Sequence, residues 1–339
     1  MRLRRRLPII AGVLLVAVAV AVVVVLRKHA PPEAARLLPQ GDGFVYINLK
    51  RLRHANLPGQ LPPVVHDPEY EHFIQATGFQ FENDLEEAAF AIHYPPGNAA
   101  GREPRYSEVF VGKIQGERLR DYLRRISSSV ENYRSTDIFS IPLEGRTLRV
   151  AILGVDTVAA SNQNDPGTIR AMIDRSRKLA SPFGGPALLR RYYKYVPLTD
   201  RYVPYASLAW AVFRVDPAAR GPAAGPFGLS FLFTKPAVVV ASVRYFRAVH
   251  LRAEAFTDDE DEAKRVTEQL NALLNFFRSA EGAAAGNGQD PDLKKLLDSL
   301  KAHQSGDRAI LTAAAPVPFI RKALTGPPEA NGLGPLLPK

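Results

Sequence analysis

The chain has 339 residues, long enough for one large or two moderate domains with a sizeable core. It contains no cysteine, which excludes disulfides, a thiol nucleophile and the lipid-bearing cysteine of a lipoprotein. The formal charge of +10 points to nucleic acid less than it seems, because Arg2, Arg4, Arg5, Arg6, Arg27 and Lys28 flank one apolar segment and the rest carries 38 basic against 34 acidic groups.

That segment is LPIIAGVLLVAVAVAVVVVL, Leu7 to Leu26. Twenty residues of helix rise about 30 Å, the thickness of a bilayer's hydrocarbon core. A signal peptide's apolar region is shorter, roughly 7–15 residues, and a cleavage site follows it. Here the A-x-A triplets, Ala17 to Ala19 and Ala19 to Ala21, lie inside the run. Residues 1–28 therefore read as a cytoplasmic stub and uncleaved transmembrane signal anchor. Four arginines precede the span against Arg27 and Lys28 after it, which keeps the N-terminus in the cytoplasm and exports the rest. With 32 Arg against 12 Lys, a composition compatible with a GC-rich bacterial genome, the expected location is the bacterial inner membrane, the ectodomain being periplasmic or extracellular.

Residues 29–40 read as a juxtamembrane linker stiffened by Pro31 and Pro32. Beyond it, strands are predicted at 43–49, 88–95, 107–114, 136–143, 146–154 and 156–161, then at 207–215, 228–233, 237–245, 248–256 and 308–315. Helices are predicted at 68–77, 116–128, 166–178, 186–196, 258–280, 291–303 and 317–324. Pro, Gly and Ala crowd four stretches, 95–104, 216–228, 281–291 and 325–339, which read as exposed loops and a disordered tail at 326–339.

Both halves run strand, strand, helix, strand, helix. The expected fold class is α+β: after the transmembrane helix come two pseudo-repeated modules of mainly antiparallel sheet with packed helices, 41–180 and 207–325. Residues 181–206 form a bridging helix and loop.

The five acids Asp258 to Glu262 resemble a metal site but read better as a helix start. Thr257 and Glu260 have capping-box spacing, and acids in a first turn suit the helix dipole. Val266, Leu270, Leu273, Leu274 and Phe277 then form one apolar stripe. Asp67, Asp165 and Asp290 each precede a proline and read as N-caps, with Pro68, Pro166 and Pro291 at the first helical position. His66 and His72, with Asp67, Glu69 and Glu71, are the densest set of ligand types, but their spacing of six does not suit two ligands on one helix. His29, His54, His93, His250 and His303 are scattered. No nucleophile elbow, P-loop or dinucleotide fingerprint occurs, so the sequence names no catalytic residue, leaving catalytic groups distant in sequence open, and no metal or cofactor is expected.

The candidate binding patch lies in the bridge and just after it: Arg190, Arg191, Tyr192, Tyr193, Lys194, Tyr195, Tyr202, Tyr205 and Trp210. Cations interleaved with aromatic faces suit lipid headgroups, glycans or an envelope protein partner. The competing reading packs Leu188, Leu189, Tyr192 and Tyr195 inward and leaves the arginines wet. Nucleic acid is disfavoured by export.

The stretches LLPQGDGFVYINLKRLR and TLRVAILGVDTVAASNQNDPGTIRAMID resemble uncharacterised bacterial exported proteins with one N-terminal anchor and a duplicated α+β ectodomain. That resemblance implies architecture and location, and carries no catalytic residue. The expected function is a non-enzymatic binding or scaffolding module of the bacterial envelope. The alternatives are an anchored hydrolase with dispersed catalytic residues, or a lipid- or solute-binding domain.

Overall fold

The computed structural model of the protein describes residues 30–54, 66–94, 103–143, 145–177, 185–197, 207–219, 225–283 and 291–325. Among them no helix is long and apolar enough to cross a membrane. The expected span at 7–26, Asp290 and the tail lie outside the described residues, as does most of the four loops.

The fold is α+β, with one antiparallel sheet of twelve strands among the described residues. In the first half, α1 (Glu33–Leu37) leads to β1 (Gly43–Asn48), α2 (Leu49–His54), α3 (Pro68–Thr77), the single turn α4 (Phe81–Asp84), β2 (Leu85–His93) and β3 (Arg105–Gly112). Then come α5 (Gly116–Ile126), β4 (Ser129–Tyr133), β5 (Thr136–Leu143), β6 (Arg146–Ile152), β7 (Thr157–Ser161) and α6 (Gly167–Ser176). The second half has α7 (Ala187–Tyr192), β8 (Ala209–Val215), β9 (Ala237–Phe246), β10 (Ala248–Phe256), α8 (Glu260–Ala283), α9 (Pro291–Ser299), β11 (Lys301–Ser305), β12 (Arg308–Ala315) and α10 (Val317–Thr325).

The strand order is β11-β12-β10-β9-β8-β1-β2-β3-β7-β6-β5-β4. The two halves meet where β1 pairs antiparallel with β8. Outwards from that seam each half presents three strands in chain order, then the strand that precedes its closing helix.

Alternation along each strand sends side chains to two faces. On one, Phe44, Tyr46, Val109, Trp210 and Val212 pack beneath α1, α6 and α7, which contribute Leu37, Met172 and Leu189 to the main core. On the other, the covering is divided. Val266 of α8 lies over Val239 and Ala255, while Leu123 of α5 lies over Phe139 and Val158. Phe79 and Phe73 close a fourth cluster over Ala88 and Phe110. The two faces are called the α1 face and the α8 face below.

Three expectations are corrected. Residues 33–38, read as part of a linker, are core: Ala34, Ala35 and Leu38 are buried and Arg175 donates to the Leu38 carbonyl. The strand expected at 228–233 is a 3-10 turn, Pro226–Leu232, because Pro226 follows a left-handed Gly225 and Gly228 takes φ 64°. The helix expected to run to 303 stops at Ser299, and β11 takes its last residues.

The caps divide similarly. Asp67 accepts from Tyr70 N–H at 2.7 Å with Pro68 at the first helical position, as expected. Asp165 instead accepts from Gly167 N–H at 2.8 Å, one residue beyond Pro166. At α8 the cap is Asp259, which accepts from Glu262 N–H at 2.8 Å. Thr257 turns away and donates to the Asp307 carbonyl at 2.8 Å, tying α8 to the β11–β12 turn. Of the α8 stripe, Val266 and Leu274 are buried, whereas Phe277 is 46% exposed.

Candidate functional site

The aromatic-basic patch divides on folding. Trp210 and Tyr193 are buried, the indole stacked on Tyr46 with centroids 5.4 Å apart and met edge-on by Tyr193 at 5.2 Å. They belong to the core, which corrects their place in an exposed patch. Tyr192 and Tyr195 are half-buried and pack on Phe256 of β10, with ring centroids 5.1 and 4.4 Å away. Arg190, Arg191 and Lys194 remain exposed, the last two over the rings of Tyr192 and Tyr195. Tyr202 and Tyr205 lie outside the described residues.

The sequence reading missed what adjoins this remnant. Past α7, the α1 face of β9, β10, β12 and β11 carries no helix in the described residues, and three of its rows carry Arg or Lys on either side of the buried row Val240, Glu254, Ile310. One row passes from core to cation: Tyr46, Trp210, Ser242, Arg252, Thr312, Lys301. Neighbouring rows set Arg244 beside His250 and Phe256 beside Arg308. The acid on these rows is Glu254, buried and gripped by Arg252 at 2.7 Å and Arg308 at 3.0 Å. Arg308 also reaches the ring of Tyr195, 5.7 Å from its centroid, joining α7 to the basic rows. The signal was invisible in sequence because the cations come from four strands, each alternating normally.

The α8 face has an opposite character. Between the two helical coverings, Val45 and Ile47 of β1, Ala209 of β8, Ala241 and Val243 of β9, and Leu251 of β10 form an apolar strip. Val45, Ile47 and Val243 are half-buried and Leu251 is 40% exposed, and none of these four joins a core cluster among the described residues. Alanines make its floor shallow and smooth. Every strand beneath is paired on both sides, so the strip offers no free backbone to a ligand.

Glu108 lies on the same face beside Phe90, and no described hydrogen bond or ion pair holds it. Burial pushes its carboxyl above the ordinary range. The folded state then binds a proton more readily than the unfolded chain, so stability falls as pH rises through that window. Glu108→Gln is expected to stabilise the protein at pH 7 by about 1 kcal/mol and to lose that advantage below about pH 4, read by urea denaturation at both pH values.

Places suited to catalysis prove structural. His93 Nε2 lies 3.0 Å from Ser107 Oγ, which lies 3.0 Å from Ser161 Oγ. These residues converge from three strands, yet Ser107 is 0% and Ser161 2% exposed, so no scissile carbonyl can reach either hydroxyl. Burial holds the His93 imidazole below its usual range against the pull of Asp42. The chain of hydroxyls ties β2, β3 and β7 together. A cleft of about 630 Å³ near the start of α5 holds Asp84, Glu86 and Asp156, each already engaged: by Gln80 N–H, Lys50 and the Thr157 hydroxyl.

His66 bridges Glu71 at 2.6 Å and Glu82 at 2.9 Å, and these carboxylates raise its affinity for a proton, the Glu71 bond most. Glu82 also accepts from the Tyr70 hydroxyl at 2.6 Å, and burial with that bond pushes the phenol up to about 12. With one carboxylate against each ring nitrogen, the imidazole staples Glu71 of α3 to Glu82 of α4. His72 and Glu69 stand apart and exposed.

No family model matches the chain, and no curated protein matches it. Among solved structures it is similar to crystal forms IV and III of TP0453, a Treponema outer-membrane-associated lipoprotein. Each is 8% identical at a TM-score of 0.46, covering 86% of this chain and 96% and 97% of the other. Crystal form I of the same protein gives 9% identity and a TM-score of 0.43, covering 87% and 98%. A likeness of that degree carries no statement about ligand or activity.

Proposed function

We propose that the protein is a single-pass, membrane-anchored binding module of the bacterial envelope, and that its apolar strip seats the hydrocarbon of an amphiphile. Leu7 to Leu26 anchors the chain with its N-terminus in the cytoplasm, and the folded domain is extracytoplasmic. The observation that carries the binding role is the open strip of Val45, Ile47, Ala241, Val243 and Leu251 between two helical layers. A peptide adding a strand needs free backbone donors and acceptors, and this strip has none. What it offers is apolar area over a smooth floor, which suits a slender saturated chain.

The two halves are proposed to descend from one duplicated module. The mirrored strand order about the β1–β8 seam supports this, as does the placing of α6 after β7 and α10 after β12.

A fatty acid bearing a photoreactive diazirine, added to the full chain in lipid nanodiscs, tests the binding role. Cross-links should concentrate on Val45, Ile47, Val243 and Leu251, and Ala241→Trp, which fills the floor, should cut labelling on the order of tenfold. Labelling spread over the surface, or unchanged by Ala241→Trp in a chain with native circular dichroism, would refute the assignment.

A further inference from the structure

We propose that the basic face beside α7 rests on the anionic headgroups of the membrane that holds the chain's own anchor. The inference depends on the anchor proposed above and adds an orientation to it.

The path of the chain places that face near the lipid. Six residues, 27–32, separate Leu26 from α1, and fully extended they span at most about 20 Å. The helix they enter lies on the α1 face. Its end touches the start of α7: the Arg36 carbonyl stands 3.9 Å from the position a Gly185 Cβ would occupy, and Ala187 N–H donates to Gln40 Oε1 at 3.0 Å. From there cations continue outward, first the exposed Arg190, Arg191 and Lys194, then the half-buried Arg308 against Tyr195, then the half-buried Arg252 and the exposed Lys301 along one row.

Charge selects the occupant. On the strand rows Glu254 is the acid, and it is buried beneath Arg252 and Arg308. The half-buried Tyr192 and Tyr195, wedged on Phe256, hold the α7 cations above the sheet instead of letting them fold back. Lysines and arginines near an anionic leaflet each bias association about fivefold, so losing three of them shifts the docked population on the order of 100-fold. The attraction is exposed and therefore screened by salt. The apolar strip on the opposite sheet face would then point away from the membrane.

The absence of cysteine allows a clean reporter. His303→Cys on β11, labelled with an environment-sensitive dye, goes into the full chain in nanodiscs carrying headgroup spin labels. With phosphatidylcholine plus about one third phosphatidylglycerol the dye should be quenched, and salt near 0.5 M should relieve the quenching. The triple variant Arg190→Gln, Arg191→Gln, Lys194→Gln should relieve it too, and pure phosphatidylcholine should give little quenching. A dye at Val155→Cys, 91% exposed on the far half of the sheet, should stay unquenched throughout. A chain that enters the discs but whose residue-303 dye ignores lipid charge overturns the proposal and spares the anchor. A chain that never enters the discs sinks both. Saturable binding of soluble polyphosphate, with no approach to lipid, would assign the face to an anionic polymer and overturn the proposal as well.

Discussion

Trp210→Ala is expected to destabilise the fold by about 3–5 kcal/mol, a large share of the total stability of a domain. Trp210 is the only tryptophan in the chain, and it sits at the seam of the two halves, opposite Tyr46 across the β1–β8 pair. Tyr46 stacks on one side of the indole, Tyr193 meets it edge-on, and the residue is 2% exposed. Truncation leaves a void bounded by two strands and α7, and main-chain pairing prevents the strands from closing it. Among the described residues the indole Nε1–H has no acceptor, so that polar group adds nothing to the residue's worth. Trp210→Phe should therefore cost far less, about 1–2 kcal/mol, since most of the packing survives and an unpaired donor disappears. Thermal unfolding followed by far-UV circular dichroism separates the two, because the alanine variant has no tryptophan fluorescence to follow. Equal midpoints for the alanine and phenylalanine variants would contradict a packing role at the seam.

What the sequence discloses about this fold follows from how each element is exposed. Strands inside the sheet, such as β10 with Val249, Ala253 and Ala255 directed one way, advertise themselves by alternation. The two strands the reading missed, β4 and β11, are the two edges of the sheet. Their residues SVENY and KAHQS are almost wholly exposed, so no apolar rhythm marks them, and their polar side chains suit an edge that must not pair with another chain. The helix α1 was hidden differently. Its five residues, EAARL, are too few to show a period, and only the tertiary packing of Ala34 and Ala35 gives them structure.

The surfaces proposed for binding were legible only in fragments for the same reason. Arg190, Arg191 and Lys194 are adjacent in sequence and could be seen. Arg244, Arg252, Lys301 and Arg308 become neighbours only through strand register, which a single sequence leaves open. Conversely Tyr193 and Trp210 looked like surface aromatics because aromatic type does not distinguish a core ring from a contact ring. Partners three dimensions away decide that.

Glu262→Ala is expected to cost about 3 kcal/mol at pH 7, although the position lies in the acidic run that reads as a solvated helix start. Glu262 is 1% exposed. Its oxygens accept from Thr234 N–H at 2.7 Å and the Thr234 hydroxyl at 2.8 Å, and it pairs with Arg265 one turn on. Together these hold α8 against the segment that enters β9. Burial would raise the carboxyl's pKa, but the Thr234 donors and Arg265 outweigh it and hold the group below its ordinary range. For an acid whose folded pKa is depressed, the stabilisation is present above the unfolded value, about 4.3, and fades as pH falls through the folded one. The gap between wild type and Glu262→Ala should therefore be full at pH 7 and should narrow at pH 3. Glu262→Gln, which keeps one acceptor for Thr234, should fall between them. Urea denaturation followed by Trp210 fluorescence reads all three, since each variant keeps the indole. If the alanine variant matched wild type at pH 7, the Thr234–Glu262–Arg265 cluster would be an incidental surface contact, and α8 would be held by Val266 and Leu270 alone.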